Sequence, residues 1–371
     1  MTAKKINRNQ LNSLSVMRYL AAHGPSTQIQ TTQAVNLRRT SVFNVFESME
    51  QGGLLEMSSN IATARKGRPR QLWQLNGSLG TFVSIYTNTH DRAVQLSDFN
   101  GVVLENITAA PCEKMADELD EIVAMIKNWS SKYRILGVML LLPGRIDFEQ
   151  GLIKFSRSWE LENYPLRDIL RKRLGEICPD ALVLIENNAR MTAWGQRCGG
   201  ACTGINDFAT LSILNGRRNG KTTPISIGSG IVLGGRVYRG RTGGAGELDH
   251  NCYKWWNRIY SEDRFPVSLQ EIDRHSREHF AQNLGESFAH LVNYLEPERL
   301  VVVFEQAPME DFFLALRETL YKNLIYIDPE HFSIELSSDG TGSTIRGGLA
   351  LLREHFFADD RRLTPFCSPL K

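Results

Sequence analysis

Apolar positions in the first eighty residues repeat with two periods. Leu11, Leu14, Val16, Met17 and Leu20 fall at helical spacing and predict a helix over about 9–22. His23-Gly24-Pro25 stops it. Ser26 and Thr27 can cap a second helix near 27–34, and Asn36 can cap a third. The third helix has a buried stripe of Leu37, Val42, Val45, Phe46 and Met49 and ends at Gly52-Gly53. The period then changes to two. Leu54-Leu55-Glu56-Met57 and Gln71-Leu72-Trp73-Gln74-Leu75 read as strands flanking Ala64-Arg65-Lys66-Gly67-Arg68-Pro69-Arg70. Three helices followed by a hairpin with a basic tip make a winged helix-turn-helix, assigned to residues 1–77.

Beyond Asn76-Gly77 the pattern is α/β. Strands are expected at 81–86, 93–97 and 102–105, then an amphipathic helix over about 112–129. Ile135–Leu142 is a near-continuous apolar run, as in a sheet covered on both faces. A helix is expected at 166–174, and a buried strand at 181–185 leads directly into Glu186-Asn187-Asn188. Polar residues at the carboxyl end of such a strand stand where open α/β sheets bind ligands. Residues 189–218 read as mostly helical, broken at Gly199-Gly200. Strand segments at 224–230 and 231–233 precede a glycine-rich run over 239–250. A helix at 277–295, a strand at 300–304, a helix at 309–320, the apolar Leu324–Ile327 and a terminal helix containing Leu349–Phe356 complete the chain. The expectation is two α/β lobes, 78–190 and 191–371, with a cleft between them and the terminal helix able to return to the first lobe.

Charge sharpens the division. Residues 1–80 hold ten Lys or Arg against three acids, a balance of +7, whereas the remainder of this 371-residue chain carries −5. A small basic module on an acidic body fits a nucleic-acid-binding head. No apolar run is long enough to span a membrane, and the basic start has no apolar core preceding a cleavage site. Six cysteines do not make a disulfide framework; reduced cytoplasmic thiols are expected. On the third helix, Arg39, Ser41 and Asn44 are candidates for base edges, while Arg38 and Thr40 can equally hold the backbone. Lys66, Arg68 and Arg70 of the tip suit a narrow, negatively charged minor groove.

Two glycine-rich stretches admit alternatives. Ile227–Gly235 is either a hairpin turning at Gly234-Gly235 or backbone approaching a phosphate or sugar. In Gly240–His250, Glu247 and His250 can meet sugar hydroxyls, as can Asn187 and Asn188. Otherwise Glu247 closes a turn and His250 is a core histidine.

These segments resemble the family named for repressors, open reading frames and kinases (ROK), in its regulator form. Leu142–Asp147 is similar to the family's Pro-Gly-x-x-Asp strand end, and Ile185–Arg190 to its Glu-Asn-Asp-Ala-Asn element. Ser229–Gly240 resembles its phosphate-side hairpin, and Gly244–His250 its Gly-x-Gly-Glu-x-Gly-His signature. The resemblance implies a winged helix-turn-helix joined to a two-lobed actin/hexokinase-like (ribonuclease H-like) ATPase fold. It implies a sugar or sugar-derivative site built from Ser158, Asn187, Asn188, Glu247 and His250. Ser158 stands where the family has Asn in a Pro-Asn-Leu element.

The departures point away from catalysis. The family's general base Asp is Asn188, whose amide cannot take up a proton. Tyr86-Thr87-Asn88-Thr89-His90 stands where Asp-x-Gly-Gly-Thr would hold phosphate and metal. The Gly-Thr-Gly before the second hairpin is reduced to Ile227-Gly228, and a late glycine triplet is Glu305-Gln306-Ala307. After His250 only Cys252 remains of a zinc-binding cysteine cluster, so no metal and no cofactor are expected.

The expectation is a sequence-specific DNA-binding transcriptional regulator, a repressor of sugar-metabolism genes without kinase activity. As a dimer or tetramer its paired heads would read a palindromic double-stranded operator. The alternatives are a regulator controlled by a protein partner, its cleft filled by side chains such as Arg157, Tyr86 or Arg190, and a sugar kinase.

Overall fold

The structure is a computed structural model and describes residues 7–61, 70–214, 217–218, 221–222, 225–247, 268–305, 308–325, 328 and 330–367. The head contains α1 (Arg8–His23), α2 (Gln28–Val35) and α3 (Arg39–Gln51), then the antiparallel hairpin of β1 (Leu55–Ile61) and β2 (Arg70–Leu75). Asn7 with Gln10, and Thr27 with Gln30, form capping boxes that satisfy the first N–H groups of α1 and α2. Asn36 does not open α3. It takes a left-handed conformation, φ 51°, and closes α2, a backbone region that Asn tolerates better than most residues. Arg38 stands at the start of α3 and gives no side-chain cap. Ser26 is not a cap either; it exchanges two backbone hydrogen bonds of 2.9 Å with Trp73. Val42, Val45, Phe46 and Met49 form the buried stripe of α3, and Phe46 meets Trp73 edge-on at 6.1 Å.

The body contains two five-stranded sheets with the same connectivity. In the first, β3 (Thr81–Thr87), β4 (Arg92–Asp98) and β5 (Val103–Ala109) run antiparallel. On its other side β3 pairs in parallel with β6 (Ile135–Leu142), and β6 with β10 (Leu182–Asn187). Between these strands lie α4 (Met115–Ser130), a small sheet of β7 (Arg145–Asp147), β8 (Leu152–Ser156) and β9 (Leu161–Tyr164), and α5 (Leu166–Leu174). Every residue of β3 and β6 is buried, which matches their apolar composition.

After α6 (Asn188–Gly199), β11 (Phe208–Leu214) begins the second sheet. Two short strands, β12 (Arg217–Arg218) and β13 (Lys221–Thr222), pair only with each other. β11 pairs antiparallel with β14 (Ser226–Leu233), which pairs with β15 (Arg236–Val237). On the other side β11 runs parallel to β16 (Arg299–Phe304), and β16 to β17 (Ser333–Ser337). α7 (Arg274–Leu295) and α8 (Glu310–Lys322) cover one face of this sheet through Phe280, Leu284, Phe312 and Leu316. The helical expectation over 189–218 is therefore wrong beyond Gly199. Phe208–Ile213 is buried on both faces at the centre of a sheet, where apolar periodicity alone does not separate strand from helix. The sequence reading also missed the edge strand β17, whose mixed Ser-Ile-Glu-Leu-Ser pattern is half-buried throughout.

The last long helix, α9 (Gly340–Ala358), packs against α6 and lies on β3 and β6 of the first sheet. Glycines permit this approach. A Cβ on Gly195 would lie 1.8 Å from the Ser343 carbonyl oxygen, and one on Gly347 would lie 2.0 Å from the Met191 carbonyl oxygen. The far end of α9 meets the head. Arg18 of α1 donates to the Phe357 carbonyl at 2.8 Å and pairs with Asp360; Arg353 donates to the carbonyls of Ala21 and Phe99. Cys367 lies 3.6 Å from the Met17 sulfur, and burial pushes its thiol up to about 11. Among the described residues no helix is long and apolar enough to cross a membrane.

Candidate functional site

Two surfaces hold the residues singled out from the sequence. The first is the outer face of α3. Arg38, Arg39, Thr40 and Asn44 are exposed, whereas Ser41 is half-buried on the flank of the apolar stripe. The 100° step of a helix places Thr40 and Asn44 opposite Val42, Val45, Phe46 and Met49, so the buried stripe itself aims them outward. Phe43 shares this face and is 55% exposed. Sequence reasoning passed over it, although Phe43 is the apolar residue of α3 that falls outside the stripe, which was a usable signal. Gln28, Ile29 and Thr32 of α2 join Arg39, Thr40, Phe43 and Asn44 around a shallow depression of about 330 Å³. Lys66 and Arg68 lie outside the described residues. Arg70 is the first residue of β2, and only its backbone is described.

The second surface is the junction of β10 with α6, between the two sheets. Asn187 is the N-cap of α6; its Oδ1 accepts the Arg190 N–H at 3.0 Å and its Nδ2 donates to the Gly144 carbonyl at 2.8 Å. Its amide is thus engaged by the protein itself. Glu186 is fully buried and accepts the Asn187 N–H at 2.7 Å and the Arg239 Nε at 2.6 Å. Arg190 Nε stands 3.0 Å from Oε1 of the same carboxylate, the oxygen that accepts the Asn187 N–H, close enough for an ion pair but off the line of a hydrogen bond.

Arg190 is 2% exposed. Its guanidinium donates to the Gly243 carbonyl at 3.1 Å and to the Ile146 carbonyl at 3.2 Å, which ties β7 of the first lobe to the glycine-rich loop of the second. Burial lowers its pKa, and the Glu186 carboxylate pushes it back up. Arg239 lies 4.2 Å over the Phe148 ring, and Arg145 donates to the Thr242 carbonyl at 3.3 Å across the same seam.

The remaining candidates do not converge. Asn188 is 7% exposed, and among the described residues its amide has no partner. Ser158, with Arg157, is exposed in the β8–β9 turn. No hydrogen bond joins it to Asn187 or Glu247 among the described residues. Trp159 is buried, and its indole nitrogen has no partner among those residues. Glu247 is exposed and acts on Arg190 through its charge. His250 and Cys252 lie outside the described residues. Within them, no group of three His, Cys, Asp or Glu is placed to hold a metal ion.

The turn after β3 also bonds part of its own backbone. Asn88 Oδ1 accepts the N–H groups of His90 and Asp91 at 2.6 and 2.8 Å, and Asn88 Nδ2 donates to the Tyr86 hydroxyl at 2.6 Å. A phosphate loop offers such N–H groups to its anion; here a side-chain oxygen has them. Thr87 and Arg92 both bond the buried Glu118 carboxylate, at 2.7 and 2.8 Å.

Paired sheets of matching topology around a shared helical seam, with a three-helix head, define the class: a two-lobed α/β body of the actin and hexokinase kind, fitted with a helix-turn-helix module. Residues 83–264 match the sequence model of the ROK family. The putative xylose repressor of Caldicellulosiruptor sp. (strain Rt8B.4) is 21% identical, over 92% of this chain and 95% of its own length. The DNA-binding transcriptional dual regulator NagC of Escherichia coli (strain K12) is 24% identical over 65% of this chain and 57% of its own length. A solved ROK family transcriptional regulator, a homologue of the Escherichia coli MLC protein, has a TM-score of 0.71. It is 18% identical and covers 97% of this chain and 98% of its own. A ROK family glucokinase from Streptomyces griseus, 19% identical, overlies 74% of this chain and all of its own, with a TM-score of 0.57. The body thus shares its fold with kinases and regulators alike.

Proposed function

We propose that this chain is a sequence-specific DNA-binding transcriptional regulator, a repressor of sugar-metabolism genes without sugar kinase activity. One observation carries the reading: α3 turns Arg38, Arg39, Thr40 and Asn44 outward from a basic head that is docked on a ROK body. The names of the full-length relatives support it. The head would comprise residues 1–77 and the lobes 78–190 and 191–371, and the protein would act in the cytoplasm. Two copies would present their heads to the halves of a palindromic operator. Against catalysis stand Asn188 in the place of a base and the turn at Asn88, whose N–H groups are already engaged.

The test is recovery of bound fragments from sheared genomic DNA at about 0.15 M salt, where nonspecific phosphate binding is weakened. Enrichment of one palindromic site is expected; uniform, salt-sensitive binding would overturn the reading. An ATP-turnover assay with a sugar panel tests the kinase alternative, and turnover is expected to be absent.

A second reading concerns control. Arg190 fills the junction in which the resemblance places a sugar, and Asn187 is bonded to Gly144 and Arg190. This occupancy favours a regulator whose cleft is closed to neutral hexoses and whose signal arrives from a protein partner. Release of the bound DNA by a simple sugar from the panel would refute it.

A further inference from the structure

Phe43 occupies a place on α3 where an aromatic side chain has no structural work to do. The core of the head is complete without it: Val42, Val45, Phe46 and Met49 are buried, while Phe43 is 55% exposed. Beside it Ile29 of α2 is 52% exposed, and the two line one depression with Thr32, Thr40, Arg39 and Asn44. An apolar floor is thereby set among polar and cationic side chains on the most basic part of the chain.

A major groove is wide enough to admit a helix, and its base edges are mostly donors and acceptors; the 5-methyl group of thymine is the largest apolar group among them, where cytosine presents only a C5–H. A phenyl ring brought against the donors and acceptors would strip water from a polar group and return no hydrogen bond, which is unfavourable. Against a thymine methyl the same ring gains contact and loses nothing. The local charge fixes the kind of occupant. Arg38 and Arg39 stand at the start of α3 and face a polyanion favourably, whereas an apolar protein segment would have to desolvate them.

We infer that Phe43, with Ile29, reads the methyl group of a thymine in the major groove and is a specificity-determining residue of the head. The inference rests on the reading of the head as a DNA reader. It adds a thymine at the base pair that Phe43 covers, next to the pairs faced by Asn44 and Arg39.

Duplexes selected from a random-sequence library by the full-length protein and by its Phe43→Ala variant test this. The wild-type consensus is expected to hold a thymine in each half-site whose preference is lost in the variant. Replacing that thymine with deoxyuridine removes only the methyl group. It is expected to weaken wild-type binding about three- to fivefold per half-site, the worth of one buried methyl, and to leave Phe43→Ala binding unchanged. Phe43→Leu, which keeps apolar contact, is expected to retain part of the effect. Equal wild-type affinity for the thymine and uridine duplexes at every position overturns the inference without needing any variant. A consensus identical for wild type and Phe43→Ala overturns it as well. Failure of the wild-type protein to enrich any sequence overturns both the inference and the DNA-reading function on which it rests.

Discussion

The outer face of α3 and the start of α6 are built from similar residues and end in opposite conditions. Each offers an arginine and an asparagine close to a helix N-terminus: Arg39 and Asn44 on one, Asn187 and Arg190 on the other. On α3 the charges are exposed and α3 begins without a side-chain cap. On α6 the asparagine caps the helix, and the arginine is buried against Glu186 and two carbonyls. The difference teaches that residue type names a chemistry but burial decides its use. Solvated cations are ready for a polyanion. A buried cation with its partners in place holds the protein's own parts together.

Experiments that break this contrast differ in size. The largest effect is expected from Glu186→Gln, which leaves Arg190 and Arg239 without their buried counter-charge. Urea unfolding should show a loss of about 3–5 kcal/mol, the usual cost of orphaning one member of a buried pair. The corresponding changes on α3 invert the pattern. Asn44→Ala and Arg39→Ala should each move stability by less than about 0.5 kcal/mol. Each should weaken operator binding by about 1–3 kcal/mol per lost base contact, read by titration against the selected duplex. Equal weakening on random DNA would reassign the residue to the phosphate backbone.

Arg190→Asn is next in size. It removes the guanidinium that crosses from Ile146 to Gly243. Calorimetry with neutral hexoses and pentoses should detect binding at least about tenfold tighter than in the wild type, or about 1.4 kcal/mol. If both proteins bind sugar equally, Arg190 is no plug. The smallest effect is expected from Asp360→Asn at the junction of head and body. The Arg18–Asp360 pair is nearly half exposed, and such pairs contribute about 0–1 kcal/mol. A larger loss would mean that the head leans on this pair more than on its apolar contacts.

Where one strong period governed a segment, the sequence was legible. The stripe of α3 and the buried run of β6 come directly from spacing. Legibility failed where two explanations shared one pattern. Asn36 suits a helix start and a left-handed helix end equally, and only the chain's path chooses the second. Phe208–Ile213 is apolar enough for either helix or strand until its neighbours β14 and β16 are known. At the junction of β10 with α6, Arg190 was one of three side chains expected to fill the cleft, but the partners it has were not visible: Ile146 and Gly243 contribute backbone carbonyls, which no residue type announces. The +7 charge of residues 1–80 set the head apart from the body, while Phe43, apolar but outside the stripe of α3, was passed over.

The helix α9 places limits on how such a molecule can change over generations. With 19 residues it is about 28 Å long and touches the cleft helix at one end and the head at the other. At Gly195 and Gly347 there is no room even for a methyl group between it and α6. Substitutions are accommodated on the exposed face of α3, which makes no such contact. The seam of α9 with α6 has no such freedom, and neither has the loop at Gly243, where a Cβ would lie 2.0 Å from the Ile146 carbonyl oxygen. A side chain at any of these three glycines has to move backbone, so the close fit fixes how near the two helices lie.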